Sequence, residues 1–462
     1  MKMIQTAYEW AQVEFGAVNL GDRRRTKRTV EVARALAESP GGTLPGPLPD
    51  WPDLKSAYRL LENNAVTFEK LQQPHWERSL QACCARGEFL LIEDSTLLDF
   101  TEHWAVRGLG RVGNDGGRGF YAHTTLALRV EGWTAAHAPV TNMLGLFDQQ
   151  VWTRDDEPKK GREKKRARLE RPRESQRWLK ALDRTGGPPP GARWTFVADR
   201  EADIAEVFIK AREHGADFVV RASRPRAVEA EEGNLFDAAA RAPLKGSYEI
   251  NLRARAGQAA RSATLQVRAR AIAVRGPWRP SGNLPAQNVQ VVEVREVGAP
   301  QGVEPLVWVL LTSWPCETLQ QCIRIVEAYS ARWLIEEYHK ALKTGTGLEE
   351  SQLESAHGLQ ALLGILALVA VRLLALKLAA RAQPDALVEM NALDEEMWAV
   401  LEAKFSRPKE GWTYRSTLVA IARLGGFLAR KGDGDPGWLT LWRGWQRLVR
   451  LAEGYALRRR CG

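Results

Sequence analysis

Three acids stand where carboxylates can do chemistry. Asp94 closes the short apolar run FLLIED, Asp199 closes WTFVAD just before a helical stretch, and Glu336 lies in a helix reached only after a long strand-rich interval. Continuous apolar runs of this kind read as strands buried on both faces, so the first two acids are expected at strand ends. Singly, such an acid can be no more than a turn or cap residue. Together, acids converging on one sheet edge can hold two divalent metals roughly 4 Å apart, activating a water and stabilising the leaving oxygen of a phosphodiester. Carboxylate donors suit Mg2+ or Mn2+.

The surroundings of Glu336 sharpen that chemistry. Tyr329, Arg332, Glu336 and Lys343 stand at offsets 0, 3, 7 and 14 in a helix predicted over 319–343. At about 100° per residue they fall within about 60° of one another along about 21 Å of axis. Lys340 and Trp333 flank the stripe, whereas Leu334, Tyr338, Ala341 and Leu342 occupy the opposite side, which is expected to pack onto a sheet. The plain alternative is a surface helix with Arg332 and Glu336 paired at i,i+4. A solvated helix has no need of Tyr329 and Trp333 on its polar side.

These residues need a frame. FLLIED, 123–130, 140–147, WTFVAD and DFVVRAS read as strands, and VWVLLTS resumes the pattern before the Glu336 helix. Between about 225 and 303 the helical signal disappears, while SATLQVRARAIAV and NVQVVEVREV alternate with period two, which predicts an all-β insertion. Beyond 350 apolar helices are predicted at 359–380, 416–428 and 439–457. At the other end, Asp22 is expected to cap a helix through RRRTKRTVEVARALAE, and a Pro/Gly-rich link leads to a second helix near 54–62. The expected class is α/β: a mixed sheet with an all-β insertion and helical flanks, divided at 1–75, 76–350 and 351–462.

Lys plus Arg outnumber Asp plus Glu by 66 to 56, giving a formal charge of +10 and a pI near 9.4. That balance points to a polyanionic partner, nucleic acid ahead of an anionic membrane. Arg24, Arg25 and Arg28 share one side of the first helix, which is either a solvated basic face or a phosphate-contacting one. The run KKGREKKRARLERPR at 159–173 poses the same choice as a loop. Five cysteines without CxxC spacing imply neither a disulfide framework nor a structural zinc site, as expected of a reducing cytosol. No signal-peptide pattern opens the chain, and the apolar run 361–371 stops at Arg372, short of the ~20 residues of a spanning helix, so no membrane is expected. Gly108, Gly110 and Gly113 form a GxGxxG that runs into NDGGRG, which reads as a loop. His123 and His339 are expected near the acids as core or phosphate-contacting residues, not as metal ligands.

IEDST around Asp94, VADREAD around Asp199, and Tyr329, Arg332, Glu336 and Lys343 in the pattern Y-(2)-R-(3)-E-(6)-K resemble the signatures of cut-and-paste DDE transposases of the bacterial insertion-sequence-four family. Similarity continues through LGDRRRTKR, SAYRLLEN, FVVRAS, LTSWP, LVAVRLL and LGGF, and so covers nearly the whole chain. The resemblance implies a ribonuclease-H-like catalytic domain interrupted by the β insertion, an N-terminal domain that binds DNA ends and a C-terminal dimerisation domain. It implies two Mg2+ (or Mn2+) ions on Asp94, Asp199 and Glu336, cleavage of both strands through a hairpin, and joining of 3′ ends to target DNA. It assigns end recognition to Arg28 beside Arg24 and Arg25, and phosphate binding to Arg221, Tyr329, Arg332 and Lys343 with Lys340 alongside. Trp308 and Trp333 would receive or brace a flipped base. Implied partners are double-stranded DNA, as inverted-repeat ends and target, and a second copy in a synaptic homodimer, in the bacterial cytoplasm at the nucleoid. The run 159–173 is longer and more positive than the resemblance leads one to expect. A structure-specific nuclease on the same fold, or a DNA-binding descendant without catalysis, would share many of these residues, but the three intact acids weigh against the latter.

Overall fold

The computed structural model describes residues 6–41, 43–113, 115–154, 174–229, 233–252, 260–388, 393–430 and 433–461; the basic run 159–173 lies outside them. Thr6 starts α1 (Ala7–Phe15) in a capping box with Glu9, and Asp22 caps α2 (Arg23–Glu38) through the Arg24 amide. After α3 (Trp51–Leu61), Thr67 caps α4 (Phe68–Cys83). Each cap satisfies an amide that the first helical turn leaves without a partner. No element is predicted from the sequence at α4; Pro74 lies inside it, and Gln72 anchors it by donating to the Gly364 carbonyl at 2.8 Å.

A buried charge ties α1 to α4. The Leu146 amide donates to His75 Nε2 at 2.9 Å, so Nδ1 carries the proton and donates to Glu14 Oε2 at 2.8 Å, where Arg78 donates as well. Burial opposes the ionised Glu14, yet His75 and Arg78 hold its carboxyl below the usual range. Removing one partner of a buried pair costs about 3 to 5 kcal/mol. Arg78 keeps 39% of its side-chain exposure, so Glu14→Gln is expected to lower stability at pH 7 by about 3 kcal/mol in a denaturant melt. A depressed carboxyl stabilises above its unfolded pKa of about 4.3, and that contribution fades as pH falls through the lower folded value. The gap between parent and variant should therefore close below about pH 4. Equal stabilities at pH 7 would refute the assignment.

The remaining elements are β1 (Gly87–Asp99), β2 (Gly110–Val112), β3 (Gly117–Trp133), β4 (Pro139–Trp152), α5 (Arg177–Thr185), β5 (Ala192–Ala198), α6 (Ala205–Glu213), β6 (Asp217–Arg221), α7 (Leu235–Ala240), β7 (Leu244–Leu252), β8 (Arg261–Val274), a ribbon of β9 (Trp278–Arg279) and β10 (Gly282–Asn283), β11 (Gln287–Val297), β12 (Val307–Thr312), α8 (Leu319–Ser330), α9 (Trp333–Lys340), α10 (Ala356–Ala382), α11 (Glu395–Phe405), α12 (Tyr414–Leu424) and α13 (Trp438–Cys461). One sheet runs in the order β2-β3-β1-β5-β6-β12-β11-β8-β7, with β4 also paired to β3. The β1, β5 and β6 strands are parallel and the rest antiparallel. Alternation gives it two dry faces: Leu90, Ile92 and Val197 join the core that contains Ile335 and α10, whereas Phe89, Leu91 and Phe196 join Trp178 and Phe208 on the side of α5 and α6.

This is the mixed α/β sheet with helical flanks that the sequence predicts, with three differences. The insertion does not form a layer of its own. β11 pairs with β12 from Gln290↔Thr312 to Arg295↔Val307, and β8 and β7 follow, so the insertion widens the central sheet. It is also not all β, since it holds α7, capped by Asn234 and too short to show a helical period. Third, α10 spans 27 residues, long and apolar enough by length and composition to cross a membrane, but its most apolar stretch is mainly buried inside the protein as a core helix. Arg372, at which the apolar run stops, packs with its guanidinium 5.6 Å from the Trp10 ring, and burial pushes its pKa down to about 10.

Candidate active site

The ladder between β1 and β5 places the first two acids. It runs in parallel register from Gly87↔Ala192 to Glu93↔Ala198, so Asp94 and Asp199 each stand one residue past the last pair. At that point β5 stops, because Asp199 accepts the Glu201 amide and turns the chain. β1 continues, still paired with β3 from Asp94↔Thr124 to Asp99↔Gly119. Asp94 is therefore inside its strand, not at its end as expected; what ends there is the parallel ladder.

Arg332 brings the third acid to the first. Its Nη1 donates to Asp94 Oδ2 at 2.9 Å and its Nη2 to Glu336 Oε1 at 2.7 Å. Burial and the neighbouring Asp199 carboxylate push the Asp94 carboxyl up to about 6, with Arg332 opposing and Glu336 adding to the rise. Behind Asp94, the Ser95 amide donates to Asp94 Oδ1 at 2.7 Å, and Ser95 Oγ lies 2.9 Å from His123 Nδ1. His123 is fully buried beside Trp178, and burial holds it neutral, well below the usual histidine range. His339 is buried too, pushed down to about 3 by burial and by Lys343 and Arg332. Both are core histidines.

The helix expected over 319–343 is interrupted. α8 stops at Ser330, the Arg332 amide bonds back only three residues to Tyr329, α9 starts at Trp333, and a wide π-type turn follows at Ala341–Gly345. The stripe is redistributed accordingly. Tyr329 is buried, with its ring 5.6 Å from Trp308 and 5.9 Å from the Arg332 guanidinium. Lys343 sits in the wide turn, its Nζ 3.9 Å from Glu349. Trp333 remains 51% exposed with Lys340 Nζ 5.1 Å from its ring centroid. Trp308, on β12, is half-buried, and Arg221 at the end of β6 donates to the Val307 carbonyl beside it at 3.2 Å.

Far along the chain, the three N-terminal arginines are not equivalent. Arg24 is 92% exposed and pairs with Asp22, Arg25 donates to the Leu20 carbonyl, and Arg28 is 16% exposed while bridging Glu31 and Asp53. The GxGxxG is a loop and hairpin: Gly108 and Gly113 have φ of +81° and +64°, and β2 leads into β3 with no helix among the described residues between them. Sequence reasoning missed Glu93, which is fully buried, accepts from Thr125 Oγ1 at 3.0 Å and is pushed up to about 8 by burial. It sits inside the apolar run and faces away from Asp94, so the pattern carried no signal for it.

Among the described residues no group of three His, Cys, Asp or Glu side chains is drawn together closely enough to cage a metal. Arg332 instead balances Asp94 and Glu336. The donor set nevertheless fits a hard divalent cation: the three acids offer only oxygen, and burial together with the neighbouring Asp199 carboxylate disfavours ionised Asp94, a cost that a bound cation offsets.

Paired acids on adjacent parallel strands of a mixed sheet, with a third on a covering helix, define the DDE class of ribonuclease-H-like enzymes. Residues 174–372 match the transposase DDE domain, 7–66 the transposase DNA-binding domain and 368–461 the transposase Tn5 dimerisation domain. The chain belongs to the insertion-sequence-four family of DDE transposases, in its Tn5-like branch. It is a DNA-cleaving and strand-transferring enzyme of a domain class that uses divalent metal, with DNA-binding and dimerisation modules.

Proposed function

We propose that this transposase moves its element by cutting and pasting through a hairpin. The observation that carries the reading is the meeting of Asp94 and Asp199 one residue past a shared ladder, with Arg332 bridging Asp94 to Glu336. Asp94, Asp199 and Glu336 would hold two Mg2+ or Mn2+ ions, whose chemistry is to activate an attacking oxygen and stabilise the leaving one. Arg332, freed from its carboxylates, turns to a phosphate with Lys343, Lys340 and Arg221, while Tyr329 braces it from below. Water cuts one strand at the element end; the released 3′ hydroxyl attacks the opposite strand, closing a hairpin; a second water opens it, and the 3′ hydroxyl then joins target DNA. Each step breaks one P–O bond and forms one. The division at 1–75, 76–350 and 351–462 assigns end binding, chemistry and pairing of two copies in a synaptic complex, at the nucleoid in the cytoplasm.

The test is an end duplex bearing the element's terminal inverted repeat, labelled on one strand and incubated with Mg2+. Nicked product should appear first, then a species of twice the strand length on a denaturing gel. Double-strand breaks without that species would overturn the hairpin and leave a nuclease-like mechanism.

The exposed Arg24 is the N-terminal arginine best placed to meet a phosphate. Arg24→Ala is expected to weaken cognate and scrambled duplexes alike and to reduce the salt slope of binding by about one. Arg28→Ala should instead lower Tm, because it unties α2 from α3. A loss at Arg24→Ala confined to cognate DNA would mark a base contact and contradict the phosphate assignment.

A further inference from the structure

Glu337 follows the third acid by one residue and points elsewhere. Its Oε2 accepts two hydrogen bonds of 2.7 Å, one from Lys377 Nζ on α10 and one from Trp438 Nε1 at the start of α13. Lys377 Nζ also lies 4.3 Å from the Trp438 ring centroid, so one cation is held between a carboxylate and an aromatic face. The side chains of Lys377 and Glu337 keep only 7% and 12% of their exposure.

What this arrangement holds follows from the irregular ends of α9. The helix has eight residues, a tight turn before it and a wide one after it. A segment so short gains little rigidity from its own ladder, and its rotation is not inherited from α8. Arg332 ties the start of the segment to Asp94 on β1, but that tie is given up when Arg332 turns to a phosphate. Two anchors outside the segment can still fix its rotation. On the sheet side Gln149 Nε2 donates to the Tyr338 hydroxyl at 3.0 Å. On the other side stands the Glu337 group, and Trp442 of the same α13 packs over Gly345 in the wide turn. Lys377 and Trp438 both belong to the segment that matches the dimerisation domain.

We propose that Glu337, Lys377 and Trp438 form a positioning clamp that sets the rotation of α9 and so presents the Glu336 carboxylate. The C-terminal module then contributes to the chemistry itself, beyond pairing two copies. The clamp rests on the reading of Glu336 as the third catalytic acid. Displacing a reacting group by about 1 Å can cost roughly 100-fold in rate, so a modest rotation of α9 has a large readout.

Full-length variants are compared on the labelled end duplex for single-turnover nicking rate, the Mg2+ concentration at half-maximal rate, end-binding Kd and Tm. Glu337→Gln is expected to slow nicking at least roughly ten-fold and raise the Mg2+ requirement, with Kd unchanged within about two-fold. Trp438→Phe, which keeps the aromatic face but loses the N–H donor, should shift the same two quantities less. If Glu337→Gln fails to fold around an unpaired Lys377, the double variant Glu337→Gln/Lys377→Met removes both charges and should fold yet still nick slowly. A folded variant with the parent's rate and Mg2+ dependence would overturn the clamp, as would binding, nicking and Tm all falling in proportion. If Glu336→Gln nicked at the parent rate, the assignment of the third acid would fail instead.

Discussion

Asp94→Asn, Asp199→Asn and Glu336→Gln are each expected to bring strand nicking below about a thousandth of the parent rate while leaving end binding nearly intact. Charge stabilisation by a metal-held site is worth several kcal/mol in the transition state, and about 4 kcal/mol corresponds to ~10³-fold. The geometry makes these clean substitutions. Burial and the Asp199 carboxylate already disfavour ionised Asp94, so an amide there should not lower Tm. In Asp94→Asn the Arg332 guanidinium keeps Glu336, and in Glu336→Gln it keeps Asp94. A second readout is independent of cleavage: millimolar Mg2+ should raise the Tm of the parent by linkage and raise that of each variant less. Nicking at the parent rate by any one variant would remove that residue from the active site.

The legible part of this site was its residue types; their placement was less so. Apolar runs ending in acids pointed to Asp94 and Asp199, yet counting apolar residues stops at the first charge. The half-buried continuation of β1 beyond Asp94 therefore went unread. The stripe around Glu336 assumed an unbroken 100° per residue, and nothing in SARW marks the turn that separates α8 from α9. That turn buries Tyr329 but leaves Arg332, Trp333 and Glu336 together. Period-two alternation identified β8 and β11 as strands, but alternation says nothing about a strand's partner, and pairing with β12 is a long-range choice. Charge counting grouped Arg24, Arg25 and Arg28 on one face, although Asp53, 25 residues beyond Arg28, claims the last of them. The clamp at Glu337 was invisible for the same reason, since its partners arrive from α10 and α13.

Trp333→Ala is expected to slow hairpin formation by about 5- to 150-fold while leaving first-strand nicking close to the parent rate. Closing a hairpin bends the cut end sharply, which requires a base to leave the stack, and unstacking costs a few kcal/mol that an aromatic platform offsets. Stacking on such a platform is worth about 1 to 3 kcal/mol per base, and that range sets the expected slowing. The two candidate tryptophans separate on burial. Trp308 is half-buried with its ring edge-on to Tyr329, so Trp308→Ala should lower Tm and slow both steps together. Trp333 stands half-exposed at the start of α9, three residues before Glu336, with the Lys340 ammonium over its ring. Its loss leaves no cavity in the core, and the melting curve should barely move. Trp333→Phe, keeping a smaller face, should fall between parent and Ala in hairpin rate. Equal slowing of nicking and hairpin formation in a well-folded Trp333→Ala protein would show that the ring serves the site as a whole and does not hold a flipped base.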